Sequence, residues 1–403
     1  MRIDRRNFLG LAGCVCFQPI LSDAAEAATS DGEMSVDGVP FPDWAVREIN
    51  EGMKRFRQWK GGDRVVSFPV VTDTHSPFAE LERPMNWKDP RSHYLFLRKI
   101  GELAGSAALL NLGDLDFDLG RGRTTPMDEV RKACDAFVKV LSTEQRPQLF
   151  AKGNHDAARG RMRSEEFGAI FNIGLNRGKG YDLHLSRCGT WGYYDVPDGA
   201  LRVIFLNTSD EGYQGFSREQ LQFLSDSLAS TPQGCGVLVM QHTNMPEFIA
   251  RWRRTLNDSG ETKRGMIEMQ IIEDFANRRG GIVEGWKGTV PPGMFDGVKW
   301  DFRSSKGELV GVLQGHAHSE SYLKYAKVNY VIRPGYGAIP EDCRCGEWRD
   351  PKRDERGARI FSCDRSMMID LLAVKPAKRL VHVFRFGTGG ERSELEFAYG
   401  GMN

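Results

Sequence analysis

Histidine is scarce in this 403-residue chain, and neither sign of charge dominates it. Eight histidines are present, and 55 basic residues nearly cancel 54 acidic ones, for a formal net charge of +1. That balance excludes a global field suited to nucleic acid or to an anionic membrane surface. Internal repeats are missing, which excludes stacked-repeat architectures, and low-complexity sequence is confined to the N-terminal region. Long apolar runs are missing as well. The stretch from Phe8 to Leu21 is too short to span a bilayer and contains Pro19. Glycine, by contrast, is plentiful at 45 residues, which suits a fold with many tight strand-to-helix turns. The length accommodates one large or two ordinary domains.

Arg5-Arg6 directly precede the apolar stretch, and Arg5-Arg6-Asn7-Phe8-Leu9 reads as a twin-arginine export signal. Ala25-Glu26-Ala27 offers small residues at the spacing a signal peptidase accepts. Residues 1–27 are therefore expected to be a signal peptide, cleaved after Ala27, with the mature chain periplasmic or secreted. Leu11-Ala12-Gly13-Cys14 also matches a lipoprotein box, which would leave the chain lipid-anchored at Cys14, although the apolar region before it is short. The compartment so reached is oxidising. Cys134, Cys188, Cys235, Cys343, Cys345 and Cys363 remain after cleavage. Cys134 sits in an apolar helical stretch and reads as core. Cys343, Cys345 and Cys363 cluster in a charged, loop-like segment. A disulfide there is one reading; a zinc site, with three thiols and no histidine nearby, is the other.

Residues 28–62 read as a tether and a helix, with apolar residues at helical spacing from Trp44 to Trp59. Residues 63–403 read as one catalytic domain. Apolar runs at Val65–Val71, Ala107–Leu112 and around Gln148–Ala151 alternate with helical patterns at Ser92–Ala104 and Asp128–Leu141. That alternation predicts a mainly parallel sheet with helices outside. Gly192–Val196 and Leu201–Asn207 follow as strands joined by a Pro-Asp-Gly turn. Ser217–Ala229 is a helix with a serine N-cap. Gly236–Met240, Leu309–Leu313 and Asn329–Ile332 complete the strands, and residues 244–306 stand out as an insertion expected to carry substrate contacts or a lid. Met367–Ala373 and Val381–Phe386 alternate around Lys375-Pro376-Ala377-Lys378, so residues 365–400 read as a C-terminal β-hairpin region with Leu395–Tyr399 added.

Five of the eight histidines fall into short polar motifs. In order, the motifs are Asp73-Thr74-His75, Gly113-Asp114, Gly153-Asn154-His155-Asp156, a lone His242, and Gly315-His316-Ala317-His318. Each motif before the last follows or ends an apolar run, at strand ends where open α/β sheets gather their ligands. His316 and His318 alternate, so they point the same way. Carboxylates, an amide and imidazoles together suit Mn, Fe or Zn better than Ca or Cu(I). His93, His184 and His382 lie in unremarkable surroundings and receive no role.

The ordered set resembles the calcineurin-like metallophosphoesterases, from about Val65 to the C-terminus. The resemblance implies an α/β fold, a four-layer αββα sandwich of two mixed sheets, with the late hairpin in the second sheet. It implies two divalent or mixed-valence metal ions (Mn, Fe or Zn), with Asp114 as the bridge. Asp73, His75 and His318 would complete the first site; Asn154, His242 and His316 the second. A bridging hydroxide would attack phosphorus, and His155, which is no ligand in the family, would assist the leaving group. Two divalent ions outweigh the two aspartates and a hydroxide, so an anionic phosphate is favoured. The implied partner is a small phosphorylated substrate, monoester or diester, with no nucleic acid indicated.

The chain also departs from the pattern of the family it resembles. Phe117 stands where purple acid phosphatases carry a ligand tyrosine, and Phe117-Asp118 replaces the Asp-Arg of serine/threonine protein phosphatases. Asp116 and Asp118 either act near the site or solvate a loop. Asp156 either orients His155 or caps the following helix, and Arg159 and Arg161 are candidate phosphate contacts. Two other functions fit less of the pattern: a phosphodiesterase for cyclic nucleotides or lipid head groups, and a catalytically silent metal-containing binding protein.

Overall fold

Strands that are buried on both faces read as unbroken apolar runs, and three such runs begin the fold. Val66–Val71 (β1), Leu109–Asn111 (β2) and Gln148–Phe150 (β3) are parallel neighbours, buried along their whole length. The computed structural model describes residues 34–75, 91–115, 126–157, 161–210, 215–243, 260–284, 295–317, 320–333, 368–387 and 393–400. The described residues from Ser35 onward form one unit. No described helix is long and apolar enough to cross a membrane.

A second sheet comes from the middle of the chain. Leu183–Leu185 (β4), Gly192–Asp195 (β5), Leu201–Phe205 (β6), Gly236–Gln241 (β7), Glu308–Gln314 (β8), Ser321–Tyr325 (β9) and Val328–Ile332 (β10) stand in the order β9-β10-β8-β7-β6-β5-β4. Its centre is parallel and its margins antiparallel. The chain then returns to the first sheet through Met368–Lys375 (β11), Leu380–Gly387 (β12) and Leu395–Ala398 (β13), giving the order β13-β12-β11-β1-β2-β3. The expected hairpin is present, β11 with β12. It was expected in the second sheet. Instead β11 pairs antiparallel with β1, because the buried edge of β1 opposite β2 needs a partner.

The sheets face each other across one apolar core. Phe68, Val70, Leu110 and Leu149 from the first meet Val203, Phe205, Leu238 and Met240 from the second. Helices cover both outer faces. The helix Asp43–Lys60 (α1) sets Phe56 edge-on to Phe384 of β12 at 5.7 Å, and Ser92–Ala104 (α2) packs on β1 and β11. On the far side, Arg218–Ala229 (α3) and Gly260–Asn277 (α4) share a core with Ile204, Val237, Val239 and Val312. The Ser217 hydroxyl accepts the Gln220 N–H at 3.2 Å and so starts α3 as the sequence indicates. The layers are thus helix, sheet, sheet, helix. Within the supposed insertion, Ile267, Ile271 and Phe275 of α4 belong to that outer core; residues 244–259 and 285–294 lie outside the described residues.

Two features of this frame matter later. Asp370 of β11 is buried between two buried arginines. Arg333 reaches it with Nε at 2.6 Å and Arg385 with Nε at 2.6 Å. Arg333 follows β10 and also pairs with Glu320 at 2.8 Å, so the cluster ties the two sheets together. The second feature is Glu268 of α4, which is fully buried with neither carboxylate oxygen hydrogen-bonded among the described residues. Burial, helped by Glu273, pushes its pKa up to about 8.

Candidate metal centre

Three of the five motifs leave the end of a strand in a conformation that side chains resist. Asp73, His75, Asp114 and His316 all have positive φ, at 48°, 39°, 54° and 66°. These are four of the nine such non-glycine residues among the described ones, and each costs on the order of 1–2 kcal/mol. Hydrogen bonds between the strand ends hold the turns there. Asp73 N–H donates to the Gly113 carbonyl at 2.8 Å, and His75 N–H to that of Asp114 at 3.2 Å. Asp73 Oδ2 accepts the His316 N–H at 2.9 Å, and the His242 carbonyl accepts the Gly315 N–H at 2.9 Å. Two motif glycines are needed for close approach. A methyl group on Gly153 would collide with the Asp114 carboxylate, and one on Gly315 with Thr72 and Asp73.

The turns bring Asp73, His75, Asp114, Asn154, His155, His242 and His316 together. Asp114 Oδ2 lies 3.6 Å from His75 Nε2 and 3.1 Å from His242 Nε2. One carboxylate oxygen therefore faces both halves of the cluster. It is buried and, with the His242 ring neutral, has no hydrogen-bond donor among the described residues. On one side, His75 Nε2 also stands 3.8 Å from Asp73 Oδ1. On the other, His242 Nε2 is 3.1 Å from Asn154 Oδ1 and 3.3 Å from His316 Nδ1. Ligand atoms of His75, Asp114 and His155 lie within 4.8 Å of one another, as do those of Asp114, His242 and His316. His155 is thus close enough to reach an ion by distance alone.

The donor set fits a cation. His242 Nδ1 lies 2.8 Å from the Leu112 carbonyl, an oxygen that only accepts, so Nδ1 carries the proton. In the neutral ring Nε2 then presents a lone pair, towards a carboxylate, an amide oxygen and a second imidazole. Something positive belongs between them. Burial works to lower the His242 pKa, but the Asp114 and Asp73 carboxylates outweigh it and push it up to about 9. For Asp114 burial works upward, and His242, His75 and His155 outweigh it, holding the carboxyl well below its ordinary range. A spot that holds a proton this firmly also attracts a metal ion.

Asp156 is tied to two backbone turns. It sits in the short turn His155–Ala157, and its Oδ2 accepts the Asp114 N–H and the Gly153 N–H, both at 2.9 Å. His318, Asp116, Phe117, Asp118, Arg159, Cys343, Cys345, Cys363 and Cys14 lie outside the described residues. Arg161 is described and half-buried. Cys134 is buried and free, as its helical setting implied. His184 stacks on Tyr193 at 4.3 Å, and His382 contacts Glu394 and Glu396 at 3.1 and 3.2 Å, away from the cluster.

Neither a protein-family model nor a curated protein matches this sequence. Several solved structures are similar. A dimetal phosphatase from Danio rerio shares 12% identity at a TM-score of 0.49, over 84% of this chain and 100% of that one. A purple acid phosphatase from yellow lupin (Lupinus luteus) seeds shares 13% at a TM-score of 0.43, over 83% of this chain and 54% of that one. A putative 5'-nucleotidase from Staphylococcus aureus shares 10% at a TM-score of 0.37, over 84% of this chain and 55% of that one.

Proposed function

We propose that this chain is a metal-dependent phosphoric ester hydrolase with a dinuclear centre. The observation that carries the reading is the single buried Asp114 oxygen that faces imidazoles on both sides. Two metal ions at such a centre supply a water activated at neutral pH and neutralise charge on the phosphoryl group. Asp114 would bridge them. Asp73 and His75, with His318, would hold one, and Asn154, His242 and His316 the other. The Leu112 carbonyl fixes the His242 tautomer and ring orientation, a support that metal-binding imidazoles commonly have.

His155 is placed by its backbone. Its N–H donates to Asp114 Oδ1 at 2.9 Å, and its ring meets His75 edge-on at 4.9 Å. From there a ring nitrogen would hold the proton that a departing alkoxide needs. The excess positive charge of the loaded centre favours a small anionic phosphate ester. We also read Arg5-Arg6 and Ala25-Glu26-Ala27 as export and cleavage signals. An N-terminus at Ala28 in protein from the native host would support that, whereas an intact Met1 in the cytoplasm would remove it.

The test is elemental analysis after reconstitution with Mn, Fe or Zn, followed by a panel of chromogenic phosphate mono- and diesters. Two ions per chain, lost on chelation, with hydrolysis lost alongside, is the expected outcome. Asp114→Ala should lose both ions. One ion or none in the reconstituted wild type sinks the dinuclear reading, and two ions without hydrolysis of any ester favours a silent metal-containing protein.

A further inference from the structure

The turn that carries the bridging aspartate and the turn that carries Asn154 are joined by one buried carboxylate. Asp156 is fully buried, and its Oδ2 accepts N–H groups from both turns at 2.9 Å. Asp114 Oδ1 returns the connection by accepting the His155 N–H at 2.9 Å. The turns are in close contact, since a methyl group on Gly113 would stand 2.7 Å from the Gly153 nitrogen. Gly113 and Asp114 both have positive φ, 100° and 54°; glycine adopts that freely, but Asp114 is strained there and needs an external hold. Hydrogen bonds to an ionised acceptor are about twice as strong as neutral ones, and two of them end on Asp156.

The hold is directional. Asn154 Oδ1 and Asp114 Oδ2 must both sit near His242 Nε2, each now at 3.1 Å. Their separation depends on how the two turns are fastened. Asp73 and His75 are placed differently, by the carbonyls of Gly113 and Asp114.

We propose that Asp156 is a positioning residue that sets the affinity of the second ion, the one assigned to Asp114, Asn154, His242 and His316. The inference rests on the metal-dependent reading above. Zinc titration of the full chain against a competing chelator tests it, with wild type, Asp156→Asn and Asp156→Ala measured side by side. Asp156→Ala should bind its first zinc with wild-type affinity and its second about 10–100-fold more weakly, the usual effect of losing such a support. Asp156→Asn keeps an oxygen that can accept both N–H groups but loses the charge, so its second affinity should fall in between. If Asp156→Ala does not fold, a second-zinc affinity in Asp156→Asn equal to wild type overturns the proposal. Two unchanged affinities in a folded Asp156→Ala, with only a lower urea midpoint, also overturn it, because Asp156 would then support the fold alone. A wild-type chain that binds no zinc sinks the metal-dependent reading and this inference with it.

Discussion

Replacing Glu268 with glutamine should flatten the pH dependence of folding stability. In the native protein the Glu268 carboxyl is fully buried on α4, and neither oxygen has a donor among the described residues. Its pKa rises from 4.5 to about 8, with burial as the main cause. Between those values the unfolded chain carries the charge and the folded chain keeps the proton. The unfolded state then binds fewer protons, so stability falls as pH rises through the window. Each pKa unit corresponds to about 1.4 kcal/mol, so wild type should lose about 3–4 kcal/mol between pH 5 and pH 8 from this group alone. Glutamine has no such titration. Urea unfolding of both proteins in chelator, at several pH values, isolates the effect, since other titrating groups cancel in the difference. Glu268→Gln should gain on wild type steadily from pH 5 to pH 8. Parallel stability curves for the two proteins would refute the reasoning and show that Glu268 is ionised in the folded state.

Asp370→Asn should lower stability at neutral pH by about 3–5 kcal/mol, because it leaves Arg333 and Arg385 buried without their carboxylate. Burial opposes the ionised Asp370, but the two arginines outweigh it and hold its pKa below 3.8. The stabilisation is therefore complete above that value and lost as the pH falls through the lower folded one; acid unfolding monitored by circular dichroism should show wild type and variant converging only there. Gly153→Ala should cost metal content without touching any proposed ligand, since its methyl group collides with the Asp114 carboxylate; wild-type metal content in this variant would count against the close approach. His155→Asn should slow turnover about 10²–10⁴-fold while sparing the metal ions. The defect should be larger for alkyl esters than for nitrophenyl esters, which need little proton donation, and an equal defect for both would point to charge stabilisation instead.

Much of the site is legible in sequence because each ligand type follows an apolar run. Val66–Val71 leads to Asp73, Leu109–Asn111 to Asp114, Gly236–Gln241 to His242 and Glu308–Gln314 to His316. Burial on both faces makes such runs conspicuous, and polar residues stand out where they end. Backbone strain is another matter. Nothing in Asp73 or His316 as residue types signals a positive φ, which here follows from hydrogen bonds between distant turns. The fastening made by Asp156 is hidden for the same reason: its Oδ2 accepts backbone N–H groups, one of them at position 114. The strand Ser321–Tyr325 escaped notice because all its residues are exposed and its turn is Ala326-Lys327, with φ of 48° and 69°. Such two-residue turns ordinarily advertise themselves with asparagine and glycine. The Arg333–Asp370–Arg385 cluster could not be read because charged residues in strands look like surface until their partners are known.

Strand order also governs when the centre can come into being during synthesis. Val70 of β1 pairs with Asp370, which lies 300 residues later in the chain. Everything from β4 to β10 is made in between. At about 5–20 residues per second, the ribosome needs roughly 15–60 s to cover that stretch. Once β2 has been made, β1 has it on one flank and an open apolar edge on the other, the kind of edge that pairs with the wrong chain. Translation that stops before Met368 therefore leaves the strand that leads to Asp73 without its second neighbour, although every proposed ligand is already in the polypeptide.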